Sequence, residues 1–185
     1  MERKILNKIV TVHEGFTASN DIIKEFTPNA YLNCVLLDFN KNISVEKIRY
    51  LYYEKLSNHK GYKSYIIEID NLNLKASWQG EGNFPKKQID ELSHFDPESF
   101  PPGKLDINKV KVDIEQLLAI ALNEPPYFIL SELENISNID ASLLVQEENI
   151  LWRFLCEHGK TGFRTLHIDA ESGTIVLNKL DKIDK

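Results

Sequence analysis

FRTLHIDAESGTIVLNK, residues 163–179, alternates apolar and polar residues, breaks at Ser-Gly, and then turns apolar again. It reads as strand, tight turn, strand, because period-two alternation suits a pleated surface while Asp, Ser and Gly favour reversal of the chain. Upstream, ILWRFLCEH (150–158) is a further strand candidate, and HGKTGF (158–163) supplies the turn between them. With Lys160 and Thr161 at the centre of that turn, His158 pairs with Phe163, Glu157 with Arg164 and Leu155 with Leu166. This register places Leu151, Leu155, Leu166, Ile168, Ile175 and Leu177 on one face, the expected core. The opposite face carries Trp152, Phe154, Cys156, His158, Phe163, Thr165, His167, Asp169 and Val176. Aromatic groups among polar ones make a recognition surface, so Trp152, Phe154, His158, Phe163, Thr165 and His167 are expected partner contacts.

Working outward, NKVKVDIEQLLAIALNE (108–124) sets Val110, Ile114, Leu117, Leu118 and Ala121 on one side of a helix that stops before Pro125 and Pro126. YFILSELENI (127–136) reads as a strand. Before the helix, residues 80–103 hold four of the seven prolines and three of the eight glycines, which marks a connection with room for a short helix over KKQIDELSHF (86–95). The expected organisation is therefore an N-terminal module over 1–79, a connection over 80–107 and a C-terminal module over 108–185. In the first module SNDIIKEF (19–26) suggests a short helix, YLNCVLLDF (31–39) a buried strand, and YKSYIIEID with LNLKASW two more strands. SVEKIRYLYYEKLSNH (44–59) has Val45, Ile48, Tyr52 and Leu56 at helical spacing behind a Ser44 N-cap, with Leu51 widening the stripe. The fold class expected is α+β, two small helix-plus-antiparallel-sheet modules packed as one unit. YKSYIIEID and FRTLHID both begin aromatic, basic, hydroxyl and end on Ile-Asp, a faint internal echo that needs a two-residue gap.

LHIDAESGTIV (166–176) resembles the ending of a PepSY-like domain, with Asp169, Ala170, Ser172 and Gly173 carrying the match over a region of about 108–179. The resemblance implies a non-enzymatic module, some relatives being linked to protease inhibition and most to secreted or membrane-attached proteins. Backbone geometry gives the same residues an independent reason, since Asp accepts turn hydrogen bonds and Gly takes positive φ cheaply.

Composition narrows the function. Acidic residues outnumber basic ones, 28 to 22, for a formal charge of −6, which repels a nucleic-acid backbone and favours a basic protein partner. The N-terminal residues lack the apolar run of a signal peptide and no stretch suits a bilayer span, so a cytoplasmic location without membrane insertion is expected. Gly159, Lys160 and Thr161 imitate the tail of a phosphate-binding loop, but Phe154 stands where its first glycine belongs. No cofactor motif is present. Cys156, His158, His167 and Asp169 are the cast for a cysteine-dependent hydrolase, although a mid-strand cysteine among apolar neighbours is badly placed for activation. His94, Asp96 and Glu98 alternate as metal ligands would, without a zinc-type spacing to support them. His13 and His59 stand alone and are read as solvated. Glu132, Glu134, Asp140, Glu147 and Glu148 cluster between strands as an acidic docking edge. The leading expectation is a non-enzymatic inhibitor, specifically a toxin-neutralising immunity protein; the alternatives are the hydrolase and a PepSY-like envelope module.

Overall fold

A computed structural model describes residues 3–5, 11–40, 42–57, 61–88, 90, 103–123, 138–158 and 162–182. The elements are β1 (Arg3–Ile5), α1 (Val12–Phe26), β2 (Tyr31–Phe39), β3 (Val45–Lys55), β4 (Gly61–Asp70), β5 (Lys75–Pro85), a 3-10 turn (Ile107–Lys109), α2 (Ile114–Asn123), β6 (Asn138–Gln146), β7 (Asn149–His158), β8 (Gly162–Asp169) and β9 (Ile175–Lys182). They form an α+β fold dominated by one nine-stranded antiparallel sheet, in the order β1-β5-β4-β3-β2-β6-β7-β8-β9. The halves of the chain therefore adjoin edge to edge through β2 and β6, and a single hydrophobic cluster runs beneath both.

Counting outward from Leu36 opposite Ser142, many ladder positions of the two halves correspond, although their register shifts fall at different steps. Val35 faces Tyr50, which faces Ile67; correspondingly Ala141 faces Phe154, which faces Leu166. Ile69 beside Ala76 corresponds to Ile168 beside Ile175. The helices begin alike: Thr11 and Glu14 exchange hydrogen bonds at the start of α1, and Asp113 and Gln116 do so at the start of α2. Such reciprocal caps satisfy amides that the first turn leaves without partners.

α1 packs on β3, β4 and β5 with Val12, Gly15, Ala18, Ser19, Ile22 and Ile23 buried. Gly15 is needed there: an added Cβ would lie 2.3 Å from the Tyr50 hydroxyl, which donates to the Val12 carbonyl at 2.6 Å. The helix starts well before the SNDIIKEF span that the sequence suggests: the Thr11 cap opens it, and burial of Val12, Gly15 and Ala18 holds opening turns that contain the weak helix formers Gly15 and Thr17. On the other half, Leu117 and Ala121 of α2 are buried, and Trp152 of β7 donates its indole N–H to Val112 O at 2.9 Å.

Three sequence expectations are corrected. The span 44–59 does not form the expected helix over its described part: Val45–Lys55 is β3, with Ile48, Tyr50 and Tyr52 buried on alternate positions. Leu51 and Tyr53 point to the other face, and the sum of two apolar faces imitates helical spacing. β6 falls where the sequence suggests an acidic loop. The β7–β8 register is one residue from the one expected, with Phe154 opposite Leu166 and His158 opposite Gly162. The helical residues 86–88 and 90 begin the span read as a short helix, whose remainder lies outside the described residues, as does YFILSELENI.

Candidate functional site

A one-residue slip exchanges the faces of a strand, and that decides the fate of the expected recognition surface. Trp152 and Phe154 are fully buried on the helix-covered face, together with Cys156, Leu166 and Ile168, so neither aromatic residue is a surface contact. Burial pushes the Cys156 thiol up to about 12, against the lowering effect of Arg164 opposite it. Phe163, Thr165 and His167 do lie on the other face; Phe163 is 38% exposed, while Thr165 and His167 are half-buried. His158 closes the β7–β8 ladder opposite Gly162. Cys156 and the pair His167 and Asp169 thus look in opposite directions, and the hydrolase cast is not assembled. Asp169 instead accepts from the backbone and hydroxyl of Ser172, each at 2.7 Å, and these bonds hold its carboxyl below its usual range.

Of the acidic edge, Asp140 is exposed on β6 and Glu147 and Glu148 form the exposed two-residue turn to β7. Glu132 and Glu134 lie outside the described residues, as do His94, Asp96, Glu98, His59 and the Gly159–Thr161 stretch. Among the described residues no group of three metal-binding side chains occurs. His13 is exposed, yet its Nε2 is 3.0 Å from the Ile107 carbonyl, which ties α1 to the 3-10 turn.

A concave feature that combines aromatic and charged side chains lies in the other half, where the C-terminal end of α1 meets β3, β4 and β5. Alternation along β4 puts Lys63 and Tyr65 on the helix-covered face. Glu54 of β3 stands opposite Lys63, and Glu81 of β5 stands opposite Tyr65. A register shift beside Ile67 lets both Trp78 and Glu81 of β5 face the same side. Phe26, the last residue of α1 and 50% exposed, lies on Trp78 with ring centroids 4.5 Å apart. Trp78 meets Tyr65 edge-on at 5.5 Å. Together Phe26, Lys63, Tyr65, Trp78 and Glu81 line an open cavity of about 380 Å³.

Its electrostatics are organised by the tyrosine. Tyr65 donates to Glu54 at 2.6 Å; burial first, then that bond and the charges of Glu54 and Glu81, raise its phenol above the ordinary range. Lys63 sits 2.9 Å from Glu81 and 5.3 Å from the centre of the Tyr65 ring. Held in its protonated form by these effects, the phenol presents a ring face to a cation while its hydroxyl donates to a carboxylate. Sequence reasoning missed this site because its residues come from four elements, one of which, β3, reads as a helix and is a strand; the available signal was the aromatic content of residues 62–84.

No family model matches the chain, and no curated protein matches it. Among solved structures, a protein from Clostridium difficile, provisionally described as a lipoprotein, shares the fold with a TM-score of 0.55 at 15% identity, over 98% of this chain and 96% of that one.

Proposed function

We propose that this protein is a non-enzymatic binding protein that engages and inhibits another protein through the aromatic cleft at the end of α1, the specific version being a toxin-neutralising immunity protein of the cytoplasm. The single observation that carries the reading is the cleft itself: Phe26 is held exposed on Trp78 beside a rim of opposite charges. Aromatic anchors surrounded by polar groups are the usual energetic centre of a protein interface. The net charge of −6 favours a basic partner. We further read the two halves as related modules, each a capped helix followed by a four-stranded meander, of which the first supplies the docking site. For location, the description of the structurally similar protein as a lipoprotein favours a second reading, in which the same binding protein works in the envelope.

The test is affinity capture from native extract with wild-type protein and with the double variant Phe26→Ala, Trp78→Ala. A stoichiometric partner retained by wild type, lost from the variant and weakened by salt is expected. Equal retention by both proteins would overturn the assignment of the cleft, and fractionation of the native protein decides between cytoplasm and envelope.

A further inference from the structure

We propose that the cleft receives a basic side chain, lysine or arginine, from the partner protein, and that Lys63 holds this place in the free protein. The inference rests on the reading of the cleft as the docking site. An ammonium group already lies in it, with a carboxylate on one side and an aromatic ring on the other: Lys63 Nζ is 2.9 Å from Glu81 and 5.3 Å from the Tyr65 centroid. These are the components that recognise a desolvated cation. The arrangement holds more negative charge than Lys63 balances, because Glu54 is fixed beside it by the Tyr65 hydroxyl at 2.6 Å. The aromatic wall continues past the site of Lys63 contact into Trp78 and the exposed Phe26, where the stem of a long basic side chain can lie.

Lys63 is suited to give way. Its side chain remains 29% exposed and is anchored at the head to the half-exposed Glu81, so release returns the ammonium to water and vacates a cavity that a guanidinium fills. An arginine gains most from the exchange, since its planar group stacks on aromatic faces and pairs with a carboxylate through two donors. The acidic charge of the chain draws such a partner toward the cleft.

The probes are Nα-acetyl-arginine amide, Nα-acetyl-lysine amide and the neutral Nα-acetyl-norleucine amide, titrated against Trp78 fluorescence; Trp152 is fully buried, and a Trp78→Phe control assigns the signal. Lys63→Met is expected to bind the arginine amide at least about tenfold more tightly than wild type does. Adding Glu54→Gln and Glu81→Gln should remove that gain, with circular dichroism confirming that each variant folds. No gain in Lys63→Met, equal binding of the norleucine amide, or tighter binding of tetramethylammonium than of the arginine amide would overturn the proposal, the last pointing to a small-molecule site. In the capture assay, loss of the partner with Phe26→Ala but unchanged capture with Glu54→Gln, Glu81→Gln would sink the basic side chain alone. Unchanged capture with Phe26→Ala, Trp78→Ala sinks the docking site itself.

Discussion

Where the first half puts Tyr65 and Trp78 in ring-to-ring contact, the second half puts Arg164 and Asn178, joined by a hydrogen bond. The ladder positions correspond, for Trp78 lies opposite Ile67 and Asn178 opposite Leu166. The same exchange of chemistry at constant geometry recurs in the core, where Tyr50 and Phe154 occupy matching buried places. Tyr50 has a hydroxyl bonded to α1, and the helix meets it with Gly15; four residues after the cap, the matching position of α2 is Leu117. Backbone topology thus dictates which positions are buried, whereas the filling of each is a local solution of volume and hydrogen bonding. Of the two corresponding places, the first half's opens into an aromatic cleft.

The largest effect expected from breaking this comparison is on Leu117, where Leu117→Ala should cost about 3 kcal/mol in urea unfolding. Gly15→Ala should cost about 2 kcal/mol, because the methyl group is forced onto the Tyr50 hydroxyl. In a Tyr50→Phe background the nearest atoms lie at 3.1 and 3.3 Å from the added Cβ, so much of the penalty should vanish. A double-mutant cycle with coupling below about 0.5 kcal/mol would refute that close approach.

The hairpins at the starts of β3 and β7 differ too. Asn40 braces the first by accepting from the amides of Asn42 and Ser44. The second turns on Glu147 and Glu148, both at positive φ, 47° and 68°. A two-residue turn of this kind favours Asn-Gly, so Glu147→Asn, Glu148→Gly should raise stability by about 1 kcal/mol. Unchanged or lower thermal stability would show that the glutamates gain something there that the backbone loses.

The smallest effect concerns the turns after β4 and β8, which are the most alike. Asp70 accepts from Asn73, and Asp169 from Ser172, and these bonds lower both carboxyl pKa values. The next residue of each turn donates back to the sheet, Asn71 to Glu46 and Ala170 to Ile150. Asp70→Ala and Asp169→Ala should each cost about 0.5 kcal/mol at neutral pH, the turns being exposed. A depressed folded-state pKa means this advantage is complete above the usual carboxyl pKa and is lost as pH falls through the lower folded value. Melting curves at pH 7 and pH 2.5 should therefore show the gap between wild type and variant shrinking in acid; a gap that persists unchanged assigns the effect elsewhere.

That shared turn explains how much of the molecule was legible beforehand. YLNCVLLDF, YKSYIIEID, ILWRFLCEH and FRTLHIDAESGTIVLNK each fold as their own alternation and turn residues demand, and the two Ile-Asp endings stand at corresponding places. Asp169 and Ser172 needed only their neighbours to be understood. The cleft was not legible, because Phe26, Glu54, Tyr65 and Trp78 are scattered across elements whose adjacency only the sheet order creates. Nor could periodicity alone separate helix from strand over residues 44–59, where both faces carry apolar groups.

The sequence by itself determined the α+β class, most strands, and the turns after β4 and β8, since these follow from interactions within a few residues. Only the tertiary structure decided the faces. Strand side chains alternate with period two, so a one-residue shift in the pairing of β7 with β8, which brings His158 opposite Gly162 in place of Phe163, moves Trp152 and Phe154 from a surface into the core. The choice between those registers is made by burial against α2 and the neighbouring strands, an energy that no single hairpin contains.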